Sequence, residues 1–190
     1  KGEEKLGGSL SVWFQCISTA DFRGQSQNGW CGRNSAAGFK GAWGNLFAGN
    51  WDTPFKRTVD MGRVGGADTG IYGTAFLFAG TSTTLDGRAT PTAWKRRQNN
   101  MFTYESPTWA GFQVLAAASV LSSANVIASG VTSAVPGSKP RLYSLGASYV
   151  NGPLAVSAAY EQHQNFWTGA NAAGGAAAFT TFGGTDYAWQ

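Results

Sequence analysis

Charge is scarce in this chain: 14 Lys and Arg and 10 Asp and Glu make up 13% of 190 residues, where an ordinary globular protein carries about a quarter. Histidine occurs once, and cysteine and methionine twice each. The sole His163 lies far in sequence from both Cys and no Cys-x-x-Cys occurs, so no zinc site is expected. No Gly-x-Ser-x-Gly elbow, Walker loop or paired-carboxylate motif accompanies His163, so the sequence predicts no enzyme, no metal and no cofactor, with His163 a polar lumen or loop residue. The basic triplet Lys95-Arg96-Arg97 lies in no recognisable binding module, and no nucleic-acid partner is expected. Long apolar runs are missing as well. The one uncharged stretch of sufficient length for a membrane helix, Gln113 to Ser138, contains Asn125, Gly130 and many Ser, and its first part alternates at period two. It predicts a strand followed by a loop.

Glycine and aromatics are abundant instead: 27 Gly, 12 Phe, 8 Trp and 6 Tyr. Hydrophobic residues reach 43% while the mean hydropathy is −0.18, so apolar residues are interleaved with polar ones. From Arg141 to His163 the interleaving is regular. Tyr143, Leu145, Ala147 and Tyr149 alternate with Ser144, Gly146 and Ser148, and Leu154, Val156, Ala158 and Tyr160 alternate with Ala155, Ser157, Ala159 and Glu161. Asn151-Gly152 between them predicts a hairpin with a type I′ turn. Strands of about ten residues, tight turns and aromatics where an interface would fall describe a transmembrane barrel.

The same pattern recurs along the chain. Leu10, Val12 and Phe14 oppose Ser11, Trp13 and Gln15; Phe47 and Trp51 oppose Ala48, Asn50 and Asp52; Phe112, Val114, Ala116, Ala118 and Val120 oppose Gln113, Ala117 and Ser119. Short turns at Glu4 to Gly8, Gly41 to Gly44, Ser106 to Gly111 and Asn151-Gly152 alternate with long connections at Ala20 to Gly29, Thr53 to Lys95, Ser122 to Lys139 and Gln164 to Gly184. That rhythm predicts an all-β, antiparallel up-and-down barrel crossing a membrane. Seven strands are complete, with part of another at Lys1 to Glu4 and of another at Thr185 to Gln190. Lys1 begins in what reads as a strand, so the chain is expected to be an interior piece of a longer one. Trp43, Trp51, Trp94 and Trp109 fall near predicted strand ends, where an aromatic girdle would place them; Trp13 has lumen parity.

Glu3-Glu4-Lys5-Leu6-Gly7-Gly8-Ser9-Leu10 leading into Trp13-Phe14-Gln15, Gly32-Arg33-Asn34-Ser35 leading into Gly38-Phe39-Lys40-Gly41, Gly49-Asn50-Trp51-Asp52-Thr53-Pro54, then Arg97, Asn100, Tyr104, Ser106-Pro107 and Gly111-Phe112 occur in that order. With Tyr143 to Tyr149 and Gly152-Pro153-Leu154, these motifs make the chain resemble the general diffusion porins of Gram-negative outer membranes. The resemblance implies a sixteen-stranded barrel, of which residues 1–190 form about half. It also implies a homotrimer amid outer-membrane lipid and lipopolysaccharide that passes small hydrophilic solutes.

In the resembled family, the loop corresponding to residues 53–95 folds into the lumen and narrows it. Loops of such length are usually functional. Its glycines (Gly62, Gly65, Gly66, Gly70 and Gly73) and the aromatics Tyr72, Phe76 and Phe78 suit packing inside a wet channel. From Thr53 to Arg97 there are seven basic and three acidic residues. The resemblance implies a constriction with carboxylates on the loop facing arginines on the wall, and the candidate lining residues are Arg97, Arg96, Arg63, Asp60, Asp68, Asn50, Asp52 and Glu105. Parity with Thr103 and Glu105 points Arg97 inward. Two positions depart from the pattern: Asn50 stands where many relatives have arginine, and Gly62-Arg63-Val64-Gly65-Gly66 replaces a Pro-Glu-Phe-Gly-Gly motif. The cation selectivity of enteric relatives therefore does not carry over, and an anion preference is expected.

Cys16 and Cys31 share a predicted face near the loop ends of adjacent strands, which allows a disulfide in an oxidising periplasm or two buried thiols. Two other functions fit an all-β chain of this composition: a barrel sheath for a structural or electron-transfer partner, and a secreted carbohydrate-binding module with tryptophan platforms.

Overall fold

Residues that alternate at period two place successive side chains on opposite faces, and this chain forms strands where its sequence alternates. The computed structural model describes residues 1–18, 30–61, 97–120, 141–164 and 185–189. Within them nine strands make one antiparallel sheet in chain order: β1 (Gly2–Gly7), β2 (Leu10–Gln15), β3 (Ser35–Gly41), β4 (Gly44–Asp52), β5 (Arg97–Glu105), β6 (Phe112–Val120), β7 (Arg141–Asn151), β8 (Leu154–Gln164) and β9 (Thr185–Trp189). The seven complete strands expected are β2 to β8, and the two partial ones are β1 and β9. Among the described residues one helix, α1 (Pro54–Met61), follows β4. No helix among the described residues is long and apolar enough to cross a membrane.

Register fixes the two faces. One row runs through Glu3, Trp13, Gly38, Phe47, Thr103, Ala117, Ser144 and Glu161. The adjacent row runs through Val12, Phe39, Leu46, Tyr104, Ala116, Leu145 and Tyr160 on the other face. Ser144, Glu161 and Thr103 in the first row are buried, whereas Phe39, Leu46 and Leu145 in the second are exposed. Phe102 is 67% and Val156 56% exposed. A soluble protein does the reverse, because exposing a broad apolar face to water is unfavourable. With polar residues inside and apolar ones outside, the solvent outside is lipid. At the turn end, exposed Trp43 stacks on Tyr104 with centroids 6.4 Å apart, and Trp109 is exposed.

Four expectations about local structure change. The β7–β8 loop is Gly152-Pro153, because Asn151 pairs with Leu154. Gly152 has φ 57°, and proline fixes the next φ near −65°. Those signs suit a II′ turn; a I′ turn needs both positive. Trp51 leaves the expected girdle and packs inside against Trp13 and Phe47. The long connection after β4 starts as helix α1, where the sequence reading had only loop. Cys16 and Cys31 are bonded, Cα atoms 4.8 Å apart. Yet Cys31 is not in a strand but in a left-handed bend at φ 56°. Its N–H donates to Ser18 Oγ and the Arg33 N–H to the Ile17 carbonyl, both at 2.9 Å. The closed loop stabilises the fold by about 3 kcal/mol in the loop-entropy account.

Candidate functional site

Helix α1 begins where β4 stops, for local reasons. Thr53 caps it, accepting from the Lys56 N–H at 3.3 Å through Oγ1 and from the Arg57 N–H at 3.0 Å through its carbonyl. Pro54 occupies the first helical position, where its missing N–H costs nothing. Lys56 reaches back one turn to Asp52 at 2.6 Å.

The helix lies on the inner face of β6, β7 and β8. Phe55 is fully buried there, its N–H donating to Ser144 Oγ at 3.0 Å. Gly146 gives Thr58 its place: a Cβ at that glycine would stand 2.5 Å from Thr58 Oγ1. On the same face Glu161 and His163, both fully buried, are joined at 2.8 Å. Small residues on β7 thus form the seat, and bulk on α1 fills it.

Across the passage α1 is tied to β4 and β5. Arg57 pairs with Glu105. Glu105 also accepts from Asn45 Nδ2 at 3.0 Å, and Asn45 Oδ1 accepts from Trp13 Nε1 at 2.7 Å. Asp52 lies between Lys56 and Arg97, the latter 3.5 Å away, and accepts from Asn34 Nδ2 at 2.9 Å. Arg97 also donates to Asn34 Oδ1. Lys56 and Arg57 of the helix thus face Asp52 and Glu105 of the wall, while Arg97 on the wall and Asp60 on the helix carry the reverse signs.

Of the expected lining residues, Arg97 and Asp52 come together, and Glu105 stands on the wall with Arg57. Asp60 is half-buried on α1. Asn50 lies on the face opposite Trp51 and instead fastens the chain before β3, donating to the carbonyls of Gly32 and Arg33 at 3.2 Å. Arg97 does not reach its place by simple parity. A bulge at Asn99-Asn100, where Asn100 has φ 52°, shifts the register so that Gln98 pairs with Trp51 and Arg97 with Asp52. Arg63, Asp68 and Arg96 lie outside the described residues, as do Tyr72, Phe76, Phe78 and Trp94. Lys56, Arg57 and Asn45 were missed as site residues, although the Asp52/Lys56 spacing of four and the Thr53-Pro54 start signal were readable. No cluster of metal-ligating side chains occurs among the described residues.

A sheet that is apolar outside and polar inside, with a helix laid along its inner face, is the wall of a membrane-spanning β-barrel with an occupied lumen. Residues 1–189 match the family described as Gram-negative porin. The chain belongs to that family, whose place is the outer membrane. Over 114 residues it is 30% identical to the major outer membrane protein P.IB of Neisseria gonorrhoeae, covering 59% of this chain and 28% of that protein. An anion-selective porin from Comamonas acidovorans superposes with a TM-score of 0.49 at 18% identity, over 85% of this chain and 55% of the other. The chain thus spans about half of that structure's length and less of the Neisseria protein.

Proposed function

We propose that the protein is a passive diffusion channel for small hydrophilic solutes and ions, prefers anions, assembles as a homotrimer among outer-membrane lipid and lipopolysaccharide, and performs no covalent chemistry. One observation carries this reading: a helix bearing Lys56 and Arg57 lies inside the wall, at the start of a segment with seven basic residues against three acidic ones. Counting the wall carboxylates Asp52 and Glu105 with that segment still leaves seven against five. A surplus of one sign in a passage with low-dielectric walls concentrates counter-ions, so anions enter more readily. Arg63, Arg96 and Arg97 contribute to that surplus, and Asp60 and Asp68 oppose it.

The test is the reversal potential of the full-length protein in planar bilayers under a salt gradient. Its sign should report anion preference, and Arg97→Gln should move it toward cations. A cation preference in the unmodified channel overturns the anion assignment. A protein that conducts nothing overturns the channel.

A further inference from the structure

We propose that the space between α1 and the inner wall of β1 to β5 is a binding site for a neutral, ring-sized polyol such as a pyranose sugar. The site rests on the channel reading, since the solute must enter the lumen to reach it. A cavity of about 300 Å³ opens there on the inner face of β1 to β5. Trp13 and Trp51 form its apolar side. Their rings are locked edge-on to each other and to Phe47, with centroids 5.1 to 6.0 Å apart. Trp13 is buried, so the half-buried Trp51 supplies the accessible apolar surface, and its neighbours hold it rigid at small entropic cost.

The polar side selects the ligand class. Lys40 is paired with Glu3 at 2.6 Å, and Arg57 with Glu105. Asn45 links Trp13 to Glu105. Each of these cations is offset by a carboxylate in the same cavity, so the cavity has little net charge with which to hold an ion. Lys1, the other cation lining it, is exposed, where water and salt screen it. What remains is a lining that supplies both donors and acceptors: Gln15, Asn45 and the paired Lys40–Glu3 and Arg57–Glu105. A hydroxyl both donates and accepts, and a sugar ring presents several hydroxyls around an apolar face. The volume lies at the lower end of the range for small-molecule sites, about 300 to 1,000 Å³, which suits one ring.

The experiment uses the full-length protein in planar bilayers, with glucose added at rising concentration while ion current is recorded. The unmodified channel should show a saturable fall in current. Removing an aromatic anchor costs affinity on the order of tenfold, so Trp51→Ala should raise the half-saturating concentration by about that factor. Lys40→Gln, at a more exposed pair, should raise it as well and supplies the measurement if Trp51→Ala does not insert. A linear fall shared by all channels is viscosity alone and overturns the site. Saturation by benzoate and not by glucose overturns its ligand class. Absence of any conductance would refute the channel reading itself, a result separate from either.

Discussion

Ser144 and Leu145 are neighbours that cannot exchange places. Ser144 is fully buried and accepts the Phe55 N–H, while Leu145 is 52% exposed on the outer face. Leu145→Arg should therefore destabilise the folded barrel by roughly 2 to 4 kcal/mol, the cost of a cation on the lipid face near the midplane. Ser157→Arg, on the inner face, should cost far less. Folding titrations in lipid vesicles measure both, and equal costs would contradict the assignment of faces. These faces were legible in the sequence because alternation is a steric property of the extended chain. Depth was not. Trp51 shares its parity with Phe47, but a tryptophan near a strand end suits an interface or an interior equally, and only packing against Trp13 decides. Arg97 was harder still, since one extra residue at the Asn99-Asn100 bulge reverses parity without leaving a sequence signal as plain as proline.

At the scale of elements, α1 is held by a seat on β7 and by ion pairs to β4 and β5. Gly146 sets the height of that seat. A Cβ there would meet Thr58 Oγ1 at 2.5 Å and the Pro54 carbonyl at 3.3 Å, both part of the helix. Gly146→Val should thus push α1 toward the lumen and lower single-channel conductance while the barrel still folds. Conductance equal to that of the unmodified protein would show that α1 does not bound the passage. The helix was hard to read from sequence because eight residues carry too little apolar periodicity to separate helix from loop. Its capping and spacing signals are local, but its position depends on residues about ninety away. The hairpin β7–β8, by contrast, was legible almost to the residue, and only proline's fixed φ moved the turn.

At the scale of the whole molecule, the alternation of long and short connections made the barrel legible, since chain order alone dictates neighbours in an up-and-down sheet. The lining was less legible: sequence assigns charges to a segment, whereas partners such as Arg57 and Glu105 come from where the sheet sets β5 against α1. The proposed anion preference belongs to this scale too. It should weaken as salt rises, because the Debye length contracts from about 10 Å at 0.1 M to about 3 Å at 1 M. Reversal potentials at a fixed gradient ratio and rising mean salt measure this, and a preference indifferent to salt would assign selectivity to size instead of charge. The two attachments of α1 also differ in timing. Lys56 meets Asp52 four residues away, but the Phe55 N–H waits for Ser144, 89 residues later in the chain. Local contacts form before those that must close a long loop. The start signals of this eight-residue helix are accordingly in place at the end of β4 before its seat exists. So short a helix is marginal alone, and the arrival of β7 is the step that both fixes the helix and sets the bore.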